Sequence, residues 1–248
     1  SGDRTVGECV TTRDREVFRA VKFLLTNDDG IDAPGILALE EALGEFGTCV
    51  IVAPDRHLSG CSHQTTTDRS LTAIELRPGH FAVDGTPADC ARLGLLHFAP
   101  DADWLLSGVN DGGNLGVDIF MSGTVAAARE ATLLGRRAMA LSHYRRSDQP
   151  IRWPQRHDLL VAVLRQLFEE QELPTRCFWN INFPAESELD RSPKTVFCET
   201  DRLALAVEFE CADGGFRYRS NYHARPRSPG KDVDVCFGGD IAITRLEI

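Results

Sequence analysis

Two carboxylates stand side by side in Asn27-Asp28-Asp29-Gly30, where an apolar run ends in a turn. Adjacent negative charges repel unless a cation lies between them, and hard cations such as Mg²⁺ prefer oxygen ligands of this kind. Asp-Asp-Gly also serves as an ordinary turn, so the pair alone leaves both readings open. Two later loops carry further oxygen donors: Ser59 in Leu58-Ser59-Gly60 and Asn110 in Ser107-Gly108-Val109-Asn110. Two carboxylates, a hydroxyl and an amide oxygen leave room for water and a phosphoryl oxygen, which suits one Mg²⁺ or Mn²⁺ per subunit. Ser122-Gly123-Thr124-Val125 then opens an Ala-rich helix. Small residues at a helix start present free N–H groups and the positive dipole end to an anion, although Ser and Thr there are also plain N-caps. Asn114, in Gly112-Gly113-Asn114, is a further donor for the same anion. Together these groups would set a cation and an anion side by side, with Asp28 and Asp29 at the centre of the chemistry.

These loops meet only if the elements before them are neighbours. Val21 to Thr26 reads as a short strand, Pro34 opens a helix with Ile36, Leu39, Leu43 and Phe46 on one face, and Cys49 to Ala53 is an apolar strand. Strand, helix and strand in about 30 residues form a βαβ unit with a right-handed crossover. Continuous apolar strands suit a mostly parallel sheet covered by helices on both faces. Thr65 to Leu76 reads as a hairpin or flap. Thr86-Pro87-Ala88-Asp89 starts a helix running to about His97, and Trp104 to Ser107 is the next strand. A helix from about Thr124, a strand near Ala138, a helix over about Arg156 to Gln171 and a strand over Cys177 to Phe183 follow. In open α/β sheets ligands bind beyond the carboxyl ends of the strands, so the loops Asn27–Gly30, Asp55–His63 and Ser107–Gly123 should converge.

Residues 1–20 form a charged lead-in, 21–194 the α/β core, and 195–248 a β-rich arm. In the arm, alternating segments around Ala204–Cys211 and Phe216–Tyr222 flank Asp213-Gly214, a hairpin signal, and Ile241 to Leu246 is a final strand. A length of 248 residues allows one substantial α/β domain, or one domain with an appended smaller lobe, and 42% hydrophobic with 26% charged residues fits a globular rather than a disordered chain. A net charge of −10, with only Lys22, Lys194 and Lys231 as lysines, argues against a nucleic-acid polymer as partner. No apolar run reaches the roughly 20 residues that span a bilayer, so no membrane partner is expected. The eight cysteines show no C-x-x-C spacing, which points to a reducing, cytoplasmic setting. Cys49, Cys90, Cys177 and Cys211 read as small buried hydrophobes.

Several segments, in this order, resemble the SurE family of metal-dependent survival nucleotidases. They are residues 24–31 (Leu-Leu-Thr-Asn-Asp-Asp-Gly-Ile), 52–56 (Val-Ala-Pro-Asp-Arg) with Ser59-Gly60, and 85–90 (Gly-Thr-Pro-Ala-Asp-Cys). Residues 107–110 (Ser-Gly-Val-Asn), 113–116 (Gly-Asn-Leu-Gly), 122–125 (Ser-Gly-Thr-Val) and 180–184 (Asn-Ile-Asn-Phe-Pro) continue the series. The resemblance implies a Rossmann-like three-layer core and a metal held by Asp28, Asp29, Ser59 and Asn110. It implies phosphate held by Asn114, Ser122, Gly123 and Thr124, and hydrolysis of nucleoside 5′- or 3′-monophosphates, with short polyphosphate a substrate of some relatives. It also implies a homodimer or homotetramer assembled through the C-terminal arms. The chain departs from the pattern at Ala128-Arg129-Glu130-Ala131, at Asp111, and in its short end after the last strand.

Other readings are weaker. A non-catalytic nucleotide-binding protein that keeps the fold is the main alternative, and a metal-dependent glycosyltransferase a third. No G-x-x-x-x-G-K-[ST] or G-x-S-x-G occurs, which removes Walker-type and serine-hydrolase chemistry. Asp232-Val233-Asp234-Val235 resembles a phosphoryl-accepting motif but follows Ser-Pro-Gly-Lys rather than an apolar strand. His63 reads either as a surface histidine or as the group that protonates the leaving oxygen.

Overall fold

The computed structural model describes residues 20–146, 150–169, 171–185, 192–205, 207–212, 214–219 and 221–248. The expected lead-in before Ala20, the Asp213 position of the hairpin turn and Glu170 of the expected long helix lie outside these residues. The elements in chain order are β1 (Val21–Thr26), α1 (Pro34–Leu43), β2 (Gly47–Pro54), β3 (Ala73–Arg77), β4 (His80–Val83) and α2 (Pro87–Leu93). They continue with β5 (Trp104–Asp111), α3 (Gly123–Leu133), β6 (Arg137–His143), α4 (His157–Glu169) and β7 (Cys177–Phe183). The last are β8 (Thr195–Phe197), β9 (Phe209–Ala212), β10 (Gly215–Tyr218), α5 (Asp232–Phe237) and β11 (Ile241–Glu247).

Among the described residues the main sheet has the order β3-β4-β2-β1-β5-β6-β7-β11-β8. Strands β4 to β7 in that order are parallel, while β3 and β11 join as antiparallel neighbours. Successive side chains of a strand face opposite ways, and β1 shows the consequence. Phe23 and Leu25 pack with Ile36, Leu39 and Leu43 of α1 and Leu160, Leu164 and Leu167 of α4 on one face. Leu24 packs with Cys90 and Ala91 of α2 and Val125, Ala128 and Ala131 of α3 on the other. The result is the three-layer α/β arrangement expected from the apolar strands, with C-terminal antiparallel pairing added at one side.

The chain winds outward from β1 to β2 and β4 in one direction, then restarts beside β1 with β5 and proceeds to β6 and β7. The order therefore reverses between β1 and β5, and crevices open at such a point beyond the strand ends. Asn27 follows β1 there, and Asn110 lies near the end of β5.

Three local expectations need correction. The hairpin falls at β3 and β4, downstream of Thr65–Thr72, because the earlier residues are held by side chains rather than by a ladder. Thr66 donates its N–H to Asp89 Oδ1 (2.8 Å) and its hydroxyl to Oδ2 (2.7 Å), and Thr86 Oγ1 donates to the Gln64 carbonyl (2.6 Å). Helix α2, opened by the expected Thr86 cap, ends at Leu93 and gives way to a wider turn over Gly94–Phe98. Cys211 is exposed, since among the described residues β9 pairs only with β10 in a separate two-stranded ribbon; Cys90 and Cys177 are buried as expected, and Cys49 is partly so.

Candidate active site

The turn after β1 is closed by Asn27, whose side-chain amide donates to the Gly30 carbonyl (2.7 Å) and whose oxygen accepts the Gly30 N–H (3.2 Å). Gly30 has φ +103°, a conformation closed to most L side chains. Asn27 and Gly30 thus shape the turn, while Asp28 and Asp29 project from it into different surroundings.

Asp28 points toward α3. Its Oδ1 accepts a hydrogen bond from Thr124 Oγ1 at 2.5 Å, and its carbonyl accepts the N–H of Leu58 at 2.7 Å. A Cβ on Gly123 would lie 3.0 Å from Asp28 Cβ and 2.7 Å from Cys61 Sγ, so the helix start reaches the carboxylate only because that residue is glycine. Asp29 points the other way. Its Oδ2 accepts the Asp111 N–H at 2.9 Å, and its Oδ1 lies 3.3 Å from His57 Nδ1. The other His57 nitrogen is hydrogen-bonded to Ser59 Oγ at 2.6 Å. The Asn110 amide nitrogen donates to the Gly112 carbonyl (2.8 Å), which leaves its amide oxygen as the atom offered to a ligand. Residues from all three expected loops therefore meet around the Asp28–Asp29 pair.

The anion side is more specific than the sequence indicated. Ser122 Oγ caps α3 by accepting the Val125 N–H (3.0 Å), and the Thr124 hydroxyl proton is spent on Asp28. What the start of α3 leaves for an anion are the N–H groups of Gly123 and Thr124, which have no partner within a helix, and the Ser122 hydroxyl proton. Asn114 is buried, with its amide nitrogen donated to Ser142 Oγ (2.8 Å). Its backbone is gripped from β7: the Asn114 N–H donates to Asn182 Oδ1 (2.8 Å), and its carbonyl accepts from both Asn180 and Asn182 Nδ2 (3.0 Å each).

Burial pushes the Asp28 carboxyl up to about 6, with the Thr124 hydrogen bond opposing and the Asp29 charge adding to the rise. Burial also raises Asp29, against the bond from Asp111 N–H and the influence of His57. Two adjacent carboxylates removed from water are what a bound cation would relieve. Among the described residues no group of three His, Cys, Asp or Glu side chains forms a metal cage. The donors are instead two carboxylates with amide and hydroxyl oxygens nearby, the hard set expected of a cation that keeps its waters.

This has a measurable consequence in the metal-free protein. A carboxyl raised on folding gives stability that is full below its unfolded value, near 3.8, and lost as pH rises through about 6. The loss is about 2–3 kcal/mol. A divalent cation held by Asp28 would favour the charged form and restore that stability, so the rise in Tm on replacing EDTA by Mn²⁺ should be larger at pH 7.5 than at pH 5. His143 works oppositely: burial holds its imidazole at about 4, and its contribution is lost as pH falls from 6.5 toward that value. That term is common to both arms of the comparison and cancels. Equal metal-induced shifts at the two pH values would refute the link between Asp28 and the cation.

Other candidate residues have structural partners. His63 Nε2 lies 2.7 Å from Glu130 Oε2, and Arg92 Nε donates to Glu130 Oε1 at 2.7 Å. Arg129 contacts His63 Nδ1 (3.3 Å) and donates to the Ile119 carbonyl (3.0 Å). His63 thereby ties its loop to α3. Asp232 opens helix α5 rather than ending a strand. Its oxygens accept the N–H groups of Gly116 (2.8 Å), Asp201 (2.7 Å) and Val233 (2.8 Å), which anchors the loop following Asn114. The grip of Asn180 and Asn182 went unassigned in the sequence, where residues 180–184 entered only as one of the segments resembling the SurE family.

A parallel sheet whose winding reverses beside a carboxylate pair, with a helix start facing that pair, is the architecture of an α/β protein that binds an anionic ligand at its switch point. The chain belongs to the SurE family: the family model described as survival protein SurE matches residues 23–203. A protein of Synechocystis sp. is 50% identical over 228 residues, covering 92% of this chain and 100% of its own length. The 5′-nucleotidase SurE of Pseudomonas putida is 42% identical over 236 residues, 92% of each chain. The crystal structure of the SurE protein from Aquifex aeolicus superposes with a TM-score of 0.80 at 32% identity, covering 91% of this chain and 93% of the other.

Proposed function

We propose that the chain is a divalent-metal-dependent phosphatase that releases phosphate from nucleoside 5′- or 3′-monophosphates or a related small phosphorylated metabolite. The observation that carries this reading is the direct contact between the buried Asp28 carboxylate and the first turn of α3, whose Gly123 and Thr124 N–H groups are open to an anion. A cation site and an anion site separated by one hydrogen bond suit a phosphoryl group shared by both.

In this reading Asp28, Asp29, Ser59 and Asn110 hold Mg²⁺ or Mn²⁺. The bound ion would supply positive charge to a phosphoryl oxygen and lower the pKa of a water. The chain's own contribution is to fix charge and position. Asp28 and Asp29 act as anchors, since both are engaged by neighbours that hold their oxygens in place. The Gly123 and Thr124 N–H groups, the Ser122 hydroxyl and the Asn114 side chain bind the phosphoryl oxygens and stabilise charge that grows on them.

Support for a homodimer or homotetramer comes from apolar side chains left in water: Phe197 and Leu203 along the β8 side, and Phe209, Phe216 and Tyr218 on the β9–β10 ribbon. Residues 195–248 would then serve as the assembling arm around the 21–194 core. Among the described residues no helix is long and apolar enough to cross a membrane, and we place the enzyme in the cytoplasm. Phosphate release from a panel of nucleoside monophosphates, with Mn²⁺, with Mg²⁺ and with EDTA, tests the activity. Turnover that requires metal is expected; no release from any monophosphate under any of these conditions would overturn the reading.

A further inference from the structure

Contacts across the site run in a fixed order: α3, Asp28, Asp29, Asp111 and then Arg145. Asp111 closes β5 directly after Asn110, and its N–H is the one that holds Asp29 Oδ2. Its own carboxylate is 44% exposed and accepts a hydrogen bond from Arg145 Nη1 at 2.7 Å. Arg145 stands just past the end of β6, whose register sets His143 opposite Asp111. A further carboxylate therefore stands beside Asp28 and Asp29, hydrogen-bonded by the Arg145 guanidinium. The charge of Asp111 is felt at Asp29, where it adds to the rise caused by burial.

We propose that the Asp111–Arg145 pair is a charge filter that favours phosphomonoesters of uncharged leaving groups over substrates carrying additional phosphates. The inference rests on the phosphatase reading above and concerns its substrate class. In either substrate water adds across a P–O bond: the water oxygen joins phosphorus, the bond to the leaving oxygen breaks, and that oxygen takes up a proton. Only the charge beyond the reacting phosphoryl differs. A leaving group that extends to the Asp111 side of the pair would bring a neutral sugar there in a nucleoside monophosphate and further anionic groups in tripolyphosphate. Asp111 repels those groups and draws the Arg145 guanidinium to its own carboxylate.

The test compares kcat/KM for a nucleoside monophosphate and for tripolyphosphate, with Mn²⁺ in excess over both. D111N keeps the backbone N–H to Asp29, removes one negative charge and leaves Arg145 with a neutral neighbour. It should raise the tripolyphosphate-to-monophosphate ratio about tenfold. The gain should shrink in 0.5 M salt, which screens exposed charges. R145Q, which leaves the Asp111 charge unpaired, should lower the ratio. D111S provides the same readout should D111N fail to fold. A ratio within twofold of wild type in the folded Asp111 variant overturns the filter while leaving the phosphatase intact. Absence of monophosphate hydrolysis in the wild type would instead overturn both.

Discussion

Asp29→Asn is expected to reduce metal-stimulated phosphate release by about a thousandfold, some 4 kcal/mol of transition-state stabilisation. The substitution keeps the side chain's size and an oxygen able to accept the Asp111 N–H, now made at 2.9 Å. The turn itself is held by Asn27 and Gly30, so the fold should survive. What disappears is one of two neighbouring negative charges. A hard cation depends on that charge, because a neutral amide oxygen offers much weaker attraction. Mn²⁺ affinity, measured by calorimetry, should fall together with kcat, and the near-ultraviolet circular dichroism should be unchanged. Full activity in this variant would remove Asp29 from the metal site.

Much of this centre was visible in the residues because its parts are local. An apolar run that stops at Asn-Asp-Asp-Gly defines a strand end, and Ser-Gly-Thr before three alanines defines a helix start. The meeting of the two followed from a rule about parallel sheets rather than from either segment. The features that escaped depend on partners far away in sequence. Asn180 and Asn182 look like ordinary polar positions in a strand, and their role appears only when Asn114, more than 60 residues earlier, lies beside them. His63 offered two readings by itself, and the arrival of Glu130 from α3 gave it a structural partner. Thr65–Thr72 has strand-like composition, but Asp89 and Thr86 satisfy the backbone at Gln64 and Thr66 before any ladder can. The exposed Cys211 escaped because an apolar run predicts burial only where another layer is available to cover it.

The Asn182 grip yields the other large effect. Asn182 is almost fully buried and matches both backbone groups of Asn114 at once, an amide nitrogen to the carbonyl and an amide oxygen to the N–H. Asn182→Asp changes no volume but replaces the donor by an oxygen facing the Asn114 carbonyl, now 3.0 Å from the amide nitrogen. An ionised carboxylate there is repelled and buried without a counter-charge, and a lost partner at a buried polar group costs about 1–3 kcal/mol. The protein should lose roughly 3 kcal/mol of stability by denaturant unfolding at pH 7.5. With Asn114 displaced from the anion site proposed for it, kcat should fall about a hundredfold. Once protonated, however, the introduced carboxyl can donate to the carbonyl and still accept the N–H, restoring both bonds. The deficit of N182D relative to wild type should therefore narrow as pH falls to 5.5, whereas N182L should show the same deficit at both pH values. The comparison with N182L separates loss of the grip from a general packing defect, and a pH-independent N182D deficit would refute the two-bond role of Asn182.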